Sequence, residues 1–213
     1  MPEGLRALDM AGSKFGIELE YTTFAWANCD YYLAHGDMMP GDWFDQLKDF
    51  DAIYFGAVGW PEKVPDHISL WGSLIKFRRD FDQYVNLRPA KLMPGIRSPL
   101  VDRQGQPLAP GAIDMLIVRE NTEGEYSGAG GRVHRGLPIE VAMETSTFTR
   151  VGVERVMRFA FRLAQSRPRK HLTVVTKSNA QRHAMVMWDE IAREVAAGFP
   201  DVAVRKLLVD AAT

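Results

Sequence analysis

The sequence predicts an α/β layered fold, and three observations carry that expectation. Amphipathic stripes at helical spacing alternate with short apolar runs of strand length, glycines and prolines punctuate the joins, and the composition suits a packed core. Over 213 residues, 46% are hydrophobic and 25% charged, enough apolar surface for one large domain or two modest ones.

Leu5, Leu8, Gly12 and Phe15 fall near helical spacing behind Pro2, which suits a first helical turn, and Gly16 can end that helix. Residues 17–21 then alternate at period two, as a half-exposed strand does. After a polar, aromatic stretch around Asp30 to Tyr32, residues 42–47 read as a short helix and 52–55 as an apolar strand, stopped by Gly56 and Gly59. Beyond Pro61 and Pro65, residues 70–79 read as a helix turning Leu74, Phe77 and then Phe81 inward, with Arg78 about 100° round from Phe77 on a different face.

Residues 83–87 read as a strand ended by Arg88 and Pro89. The stretch holding Pro89, Pro94, Gly95 and Pro99 reads as a crossing that divides the chain into domains at 1–91 and 92–213. The apolar run 113–118 is a buried strand, the glycine-rich 127–134 a stretch with mobile character, and 139–143 the return strand of an extended hairpin. Val156, Phe159, Ala160 and Leu163 mark one helix; Ala184, Met187, Trp188, Ile191 and Val195 mark another. Residues 172–175 form a buried strand between them, and 202–209 a last one. With no strand before the first helix and no helix after the last strand, both ends are expected to be cut.

Composition excludes several classes. Net charge is −1 with both signs mixed along the chain, so neither nucleic acid nor an anionic membrane is an expected partner. Cys29 is the only cysteine, which removes a disulfide framework and any multi-cysteine zinc site and makes a reducing cytoplasm the default. No apolar run approaches the ~20 residues a membrane span needs. The five histidines, His35, His67, His134, His171 and His183, have no metal-ligand spacing and read as surface or packing residues. No Gly-x-Gly-x-x-Gly, phosphate-loop or Gly-x-Ser-x-Gly motif occurs.

The densest chemistry is residues 117–126, Ile-Val-Arg-Glu-Asn-Thr-Glu-Gly-Glu-Tyr, directly after the apolar strand. Unpaired charge beside a core is costly, so Arg119 and Tyr126 are candidate site residues; the bland alternative is a solvated loop. Charges also follow the other strands: Arg88, Lys177 and Asp210. Ligands of α/β sheets gather at strand carboxyl ends, although charged residues cap strands without function as well. Arg78, Arg88 and Arg119 could clamp a diacid, since guanidinium meets carboxylate bidentately. Asp210 could give a metal one hard oxygen ligand, and Lys177 and Tyr126 are the candidates for moving protons.

Leu87-Arg-Pro89, Arg119 through Tyr126, Thr176-Lys-Ser-Asn179 and Val209-Asp210 together resemble the isocitrate and isopropylmalate dehydrogenase family, metal-dependent decarboxylating dehydrogenases of 2-hydroxy acids. Arg78 precedes Arg88 by ten residues, as the first two substrate arginines do there. Residues 55–61 and 64–78 look most like the branch acting on tartrate and D-malate: Gly72 and Leu74 stand where isocitrate enzymes are expected to have serine and asparagine, and Trp71 departs from the isopropylmalate pattern.

The resemblance implies an isopropylmalate dehydrogenase-like two-domain fold, incomplete here, because the family's opening strand and glycine turn, two further metal aspartates and the adenosine-gripping loop are not in this sequence. It implies NAD, Mg²⁺ or Mn²⁺, and K⁺ as a further candidate cation. Arg78, Arg88 and Arg119 would hold the two carboxylates of a small hydroxy diacid, and Leu74 would face its substituent. Lys177 would accept the hydroxyl proton, Tyr126 would protonate the enol, Asn179 would lie near the nicotinamide and Asp210 would bind the metal. A homodimer is implied, with residues 127–143 as the clasping arm. The alternatives are a 3-isopropylmalate dehydrogenase or a non-catalytic dimerising remnant.

Overall fold

Pro2 and Gly16 bracket the first helix, α1 (Pro2–Phe15): proline sits in the first turn, and Gly16, at φ 67°, turns its N–H back to the Gly12 carbonyl. The computed structural model describes residues 1–212, and the chain divides into two compact units, Met1–Phe81 and Asp82–Thr213. The divide expected at 91/92 falls inside the second of these.

In the first unit a helix stands where the sequence offered only a polar aromatic stretch, α2 (Cys29–His35). Its signals were local: the Asn28 side chain accepts the Tyr31 N–H at 2.8 Å, and Gly36 closes the helix at φ 82°. Helix α3 (Trp43–Leu47) follows. The next helical stretch is α4 (Asp66–Ser69), a π-helical turn (Leu70–Leu74) and α5 (Ile75–Asp80). Within it the buried Ser73 hydroxyl donates to the Ser69 carbonyl at 2.6 Å. Met38, Met39, Trp43, Leu47 and Phe77 form the core, and Phe77 takes Trp43 and Phe55 edge-on at centroid distances of 5.3 and 5.1 Å.

Two expectations fail here. Residues 17–21 and 52–55 are not strands. A strand must spend its backbone N–H and C=O groups on a neighbour, and among the described residues neither segment has one. Ile53 and Phe55 instead pack against the aromatic cluster.

The second unit holds three two-stranded sheets. Strands β1 (Val85–Lys91) and β2 (Asp114–Glu120) pair antiparallel, as do β3 (Gly124–Val133) and β4 (Val141–Thr147). Strands β5 (His171–Thr176) and β6 (Ala203–Leu208) run parallel, the return provided by helix α7 (Ala184–Ala196). Helix α6 (Arg150–Ser166) precedes β5. Its buried stripe, Val153, Met157, Phe161 and Ala164, meets Val174, Ile191, Ala192, Val195 and Val202. Phe159 and Leu163, expected in that stripe, lie on its half-buried flanks.

Proline did not end β1: Pro89 lies opposite Leu116 within the ladder, tolerated because a strand with one neighbour needs no proline N–H on its open side. The extended hairpin expected around the glycine-rich stretch is present, with Ala129 to Val133 pairing antiparallel with Thr145 to Val141. Among the described residues no helix is long and apolar enough to cross a membrane.

Phe161 is fully buried and stacks on Phe199 at 5.3 Å. Phe161→Ala should therefore cost about 3–5 kcal/mol in urea unfolding followed by circular dichroism. Phe15→Ala, at a side chain 68% exposed, should stay within about 0.5 kcal/mol; equal losses would show that the α6–α7 core is misassigned.

Candidate functional site

The register of β1 on β2 sets Asn86 opposite Arg119 and Arg88 opposite Ile117. Side chains two apart share a face of a strand, so Asn86, Arg88 and Arg119 emerge on the same side of the ribbon. Just past β2, Asn121 is buried, its backbone N–H bound to the Tyr84 carbonyl at 3.1 Å and its Nδ2 to the Gln83 carbonyl at 2.9 Å. Its Oδ1 then accepts from Asn86 Nδ2 at 3.3 Å and from Arg119 Nη2 at 3.4 Å. Arg88 Nε donates to Asn86 Oδ1 at 2.9 Å. Two carboxamides thus tie Arg88 to Arg119, and the Tyr126 ring lies 5.6 Å from the Arg119 guanidinium carbon.

Among the described residues neither Arg88 nor Arg119 forms an ion pair, whereas Arg132, Arg150, Arg155, Arg158 and Arg167 each hold a carboxylate. Arg88 is exposed, as are Arg97 and Arg103, which also lack an ion pair, so burial is what sets Arg119 apart. Arg119 is half-buried, and its Nε is buried without a hydrogen-bond partner. The acids next to it in sequence are turned elsewhere. Glu120 accepts the Thr122 N–H and hydroxyl and the Glu123 N–H at 2.7–3.1 Å. Glu123 accepts the Thr149 N–H at 2.9 Å and hydroxyl at 2.5 Å. The charge cluster of 117–126 therefore separates into acids that fix the backbone and a cation left with neutral partners.

A second group forms where the parallel strands end. Thr176 pairs with Leu208, so the residues that follow come out at one edge, and Lys177 Nζ contacts both oxygens of Asp210 at 2.5 and 2.6 Å. The hydrogen bond from Lys177 holds the Asp210 carboxyl below its ordinary value. Asn179 is exposed in the turn between β5 and α7, where the Lys177 carbonyl accepts the N–H groups of Ala180 and Gln181.

Behind this turn, Lys206 on β6 reaches Asp189 on α7 at 2.9 Å. Burial pushes the Asp189 carboxyl up, but the Lys206 ammonium bound to it outweighs that and holds its pKa below the ordinary value.

In the first unit, Arg78 is buried in α5 on the face it shares with Ile75, and Leu74 is half-buried in the π-helical turn. Gly72 has a packing reason to be small, because a Cβ there would come within 2.6 Å of Met38 Cγ. The Arg79 guanidinium lies 5.0 Å from the Trp71 ring.

The test for a divalent metal goes against a complete centre. The one carboxylate assigned to it, Asp210, is engaged by Lys177, and among the described residues no three His, Cys, Asp or Glu side chains gather around a common point. The described residues do not by themselves hold such an ion. Sequence reasoning missed Asn86 and Asn121, because neither titrates; stepping back two residues from Arg88, and forward two from Arg119, would have found them.

This fold and this arrangement define a known class: the chain belongs to the isocitrate/isopropylmalate dehydrogenase family, whose model matches residues 1–213. It is 56% identical over 210 residues to the D-malate dehydrogenase (decarboxylating) of Escherichia coli K12, covering 99% of this chain and 57% of that protein. It is 61% identical over 209 residues to a probable tartrate dehydrogenase/decarboxylase of Agrobacterium vitis, covering 98% and 56%. The chain thus spans little more than half the length of these relatives. Its fold is similar to a crystal structure of isocitrate dehydrogenase from Methylococcus capsulatus, with a TM-score of 0.77 and 25% identity over 92% of this chain and 54% of that one.

The Lys177–Asp210 pair carries a pH prediction. Asp210 has a depressed folded pKa, so its contribution to stability is present above the ordinary carboxyl value of 3.8 and is lost as pH falls through the lower folded value. In a carboxyl-carbon NMR titration, Asp210 should titrate below that value, and Lys177→Ala should raise it toward that value. An Asp210 titration indifferent to Lys177→Ala would remove the pair.

Proposed function

We propose that this chain takes part in the oxidative decarboxylation of a small 2-hydroxy diacid, D-malate or tartrate, with NAD as hydride acceptor. One observation carries the reading: Arg88 and Arg119, tied through Asn86 and Asn121, have no carboxylate of their own, and Arg119 Nε is buried without an acceptor. A buried donor without a partner costs about 1–3 kcal/mol, and a substrate carboxylate is the acceptor that would recover it. The two relatives' names, D-malate and tartrate dehydrogenase, support the diacid class.

In this reading Arg88 and Arg119 bind the substrate carboxylates, Arg78 adds a third guanidinium, and Leu74 meets the substituent. Gly72 and Leu74 offer no side-chain hydrogen bond to a third carboxylate, which favours malate or tartrate over isocitrate. Oxidation at carbon 2 releases a hydride to NAD and a proton from the hydroxyl, which we assign to Lys177. Loss of CO₂ leaves an enolate, and Tyr126 supplies the proton to its carbon that gives the 2-keto acid product. Asn179 lies toward the nicotinamide. Mg²⁺ or Mn²⁺, with K⁺ as a further cation, supplies Lewis-acid stabilisation when bound, and Asp210 is the carboxylate this chain offers to it. The active form is a homodimer, with residues 127–143 as its clasping arm; no nucleic acid or membrane partner enters, and the setting is cytoplasmic.

A second reading, a binding but non-catalytic chain, is favoured by the ion pair that occupies both the proposed base and the proposed metal ligand. The two part company in one experiment. Calorimetric titration of the chain with D-malate and meso-tartrate should show binding that Arg119→Gln weakens by about tenfold or more, the loss of a charge-assisted hydrogen bond. NADH formation with Mn²⁺ and K⁺ present supports the enzyme, binding without turnover supports the second reading, and no binding of either diacid overturns both.

A further inference from the structure

Glu123 lies between Arg119 and Tyr126 in sequence, yet the proposed chemistry does not use it. Its surroundings are unusually constrained. Thr149 is the N-cap of α6, and its hydroxyl accepts the Gly152 N–H at 3.0 Å while donating to Glu123 at 2.5 Å. The Glu123 carboxylate therefore sits on the first turn of α6, where the helix dipole favours an anion. It fits only because residue 152 has no side chain: a Cβ at Gly152 would lie 2.4 Å from Cδ, Oε1 and Oε2 of Glu123. One turn further on, Arg155 donates to the Thr122 hydroxyl at 3.0 Å and to both oxygens of Asp82 at 2.8 Å, with the Tyr84 ring 4.6 Å from its guanidinium carbon. Past Glu123, the chain turns at Gly124, φ 69°, against the Phe148 ring.

We propose that Glu123, seated in the notch left by Gly152, is a positioning residue that sets Arg119 and Tyr126 against one another and so fixes the geometry of the diacid site. Helix α6 grips residues 122 and 123 by two handles, Arg155 on Thr122 and the first turn on Glu123. The backbone between the guanidinium of Arg119 and the phenol of Tyr126 has little freedom left. Stability alone would be served by either handle; holding two side chains in one relation needs the segment fixed between them. The proposal rests on the reading of Arg119 and Tyr126 as substrate groups, and its test separates the two.

The full chain, labelled with ¹³C-tyrosine, would be compared with Gly152→Ala, Glu123→Ala, the double variant and Gly41→Ala, a control whose added Cβ meets nothing within 4 Å; Tyr126→Phe assigns the resonance. Gly152→Ala should displace the Tyr126 ring signals and weaken diacid binding by about tenfold, whereas Gly41→Ala should do neither. In the Glu123→Ala background, Gly152→Ala should add no further displacement, because its clash has been removed. Tyr126 signals unmoved by Glu123→Ala, or displacements that add in the double variant, overturn the proposal. If Gly152→Ala does not fold, Glu123→Ala alone decides. If the parent chain binds no diacid, the functional reading fails while the Tyr126 comparison still decides the positioning role.

Discussion

Two guanidinium groups held on one face of a two-stranded ribbon, with carboxamides rather than carboxylates as their partners, are the constraint to which the rest of the site answers. Charge taken partly out of water without a counter-ion is costly, and the usual remedy is a neighbouring acid. Acids stand immediately beside Arg119 in sequence, but Glu120 is turned onto the backbone of residues 122–123 and Glu123 onto the start of α6. The carboxamides of Asn86 and Asn121 orient the arginines without neutralising them. Such an arrangement has a counter-ion to gain from outside.

The carboxyl ends of β5 and β6 hold a different balance. There the parallel register makes neighbours of Lys177 and Asp210, and the pair neutralises itself. For a lysine to take a proton from substrate, or an aspartate to bind a cation, this contact has to be exchanged for another. The difference between the two groups is physical: one lacks its counter-charge, the other contains it.

Much of this was legible in the sequence. The stripe of α7 placed part of the larger core, because helical periodicity records burial, whereas the stripe read for α6, Val156, Phe159, Ala160 and Leu163, lies one residue round from Val153, Met157, Phe161 and Ala164, which fill that core; Arg88, Arg119, Lys177 and Asp210 could be found as charges after apolar runs. Strand pairing was less legible. Residues 17–21 have the alternation of a strand but no neighbour among the described residues, and pairing is a non-local property that period two cannot report. Pro89 was read by its local preference and overruled by the ladder it joins, whereas the hairpin around the glycines of 127–134 was legible. Asn86 and Asn121 escaped notice for another reason: an uncharged amide looks like any surface residue until the register shows what it bridges.

The Arg119 side-chain N–H resonance gives the most direct test of the central claim, that this half-buried guanidinium, with its Nε out of contact with water, waits for an external carboxylate. In ¹⁵N-arginine-labelled chain, its Nε–H signal should exchange slowly with water and move on addition of D-malate or tartrate, while that of Arg97, in the irregular segment after β1, stays fixed. An Arg119 signal that exchanges as fast as that of Arg97 and ignores the diacid would contradict the account.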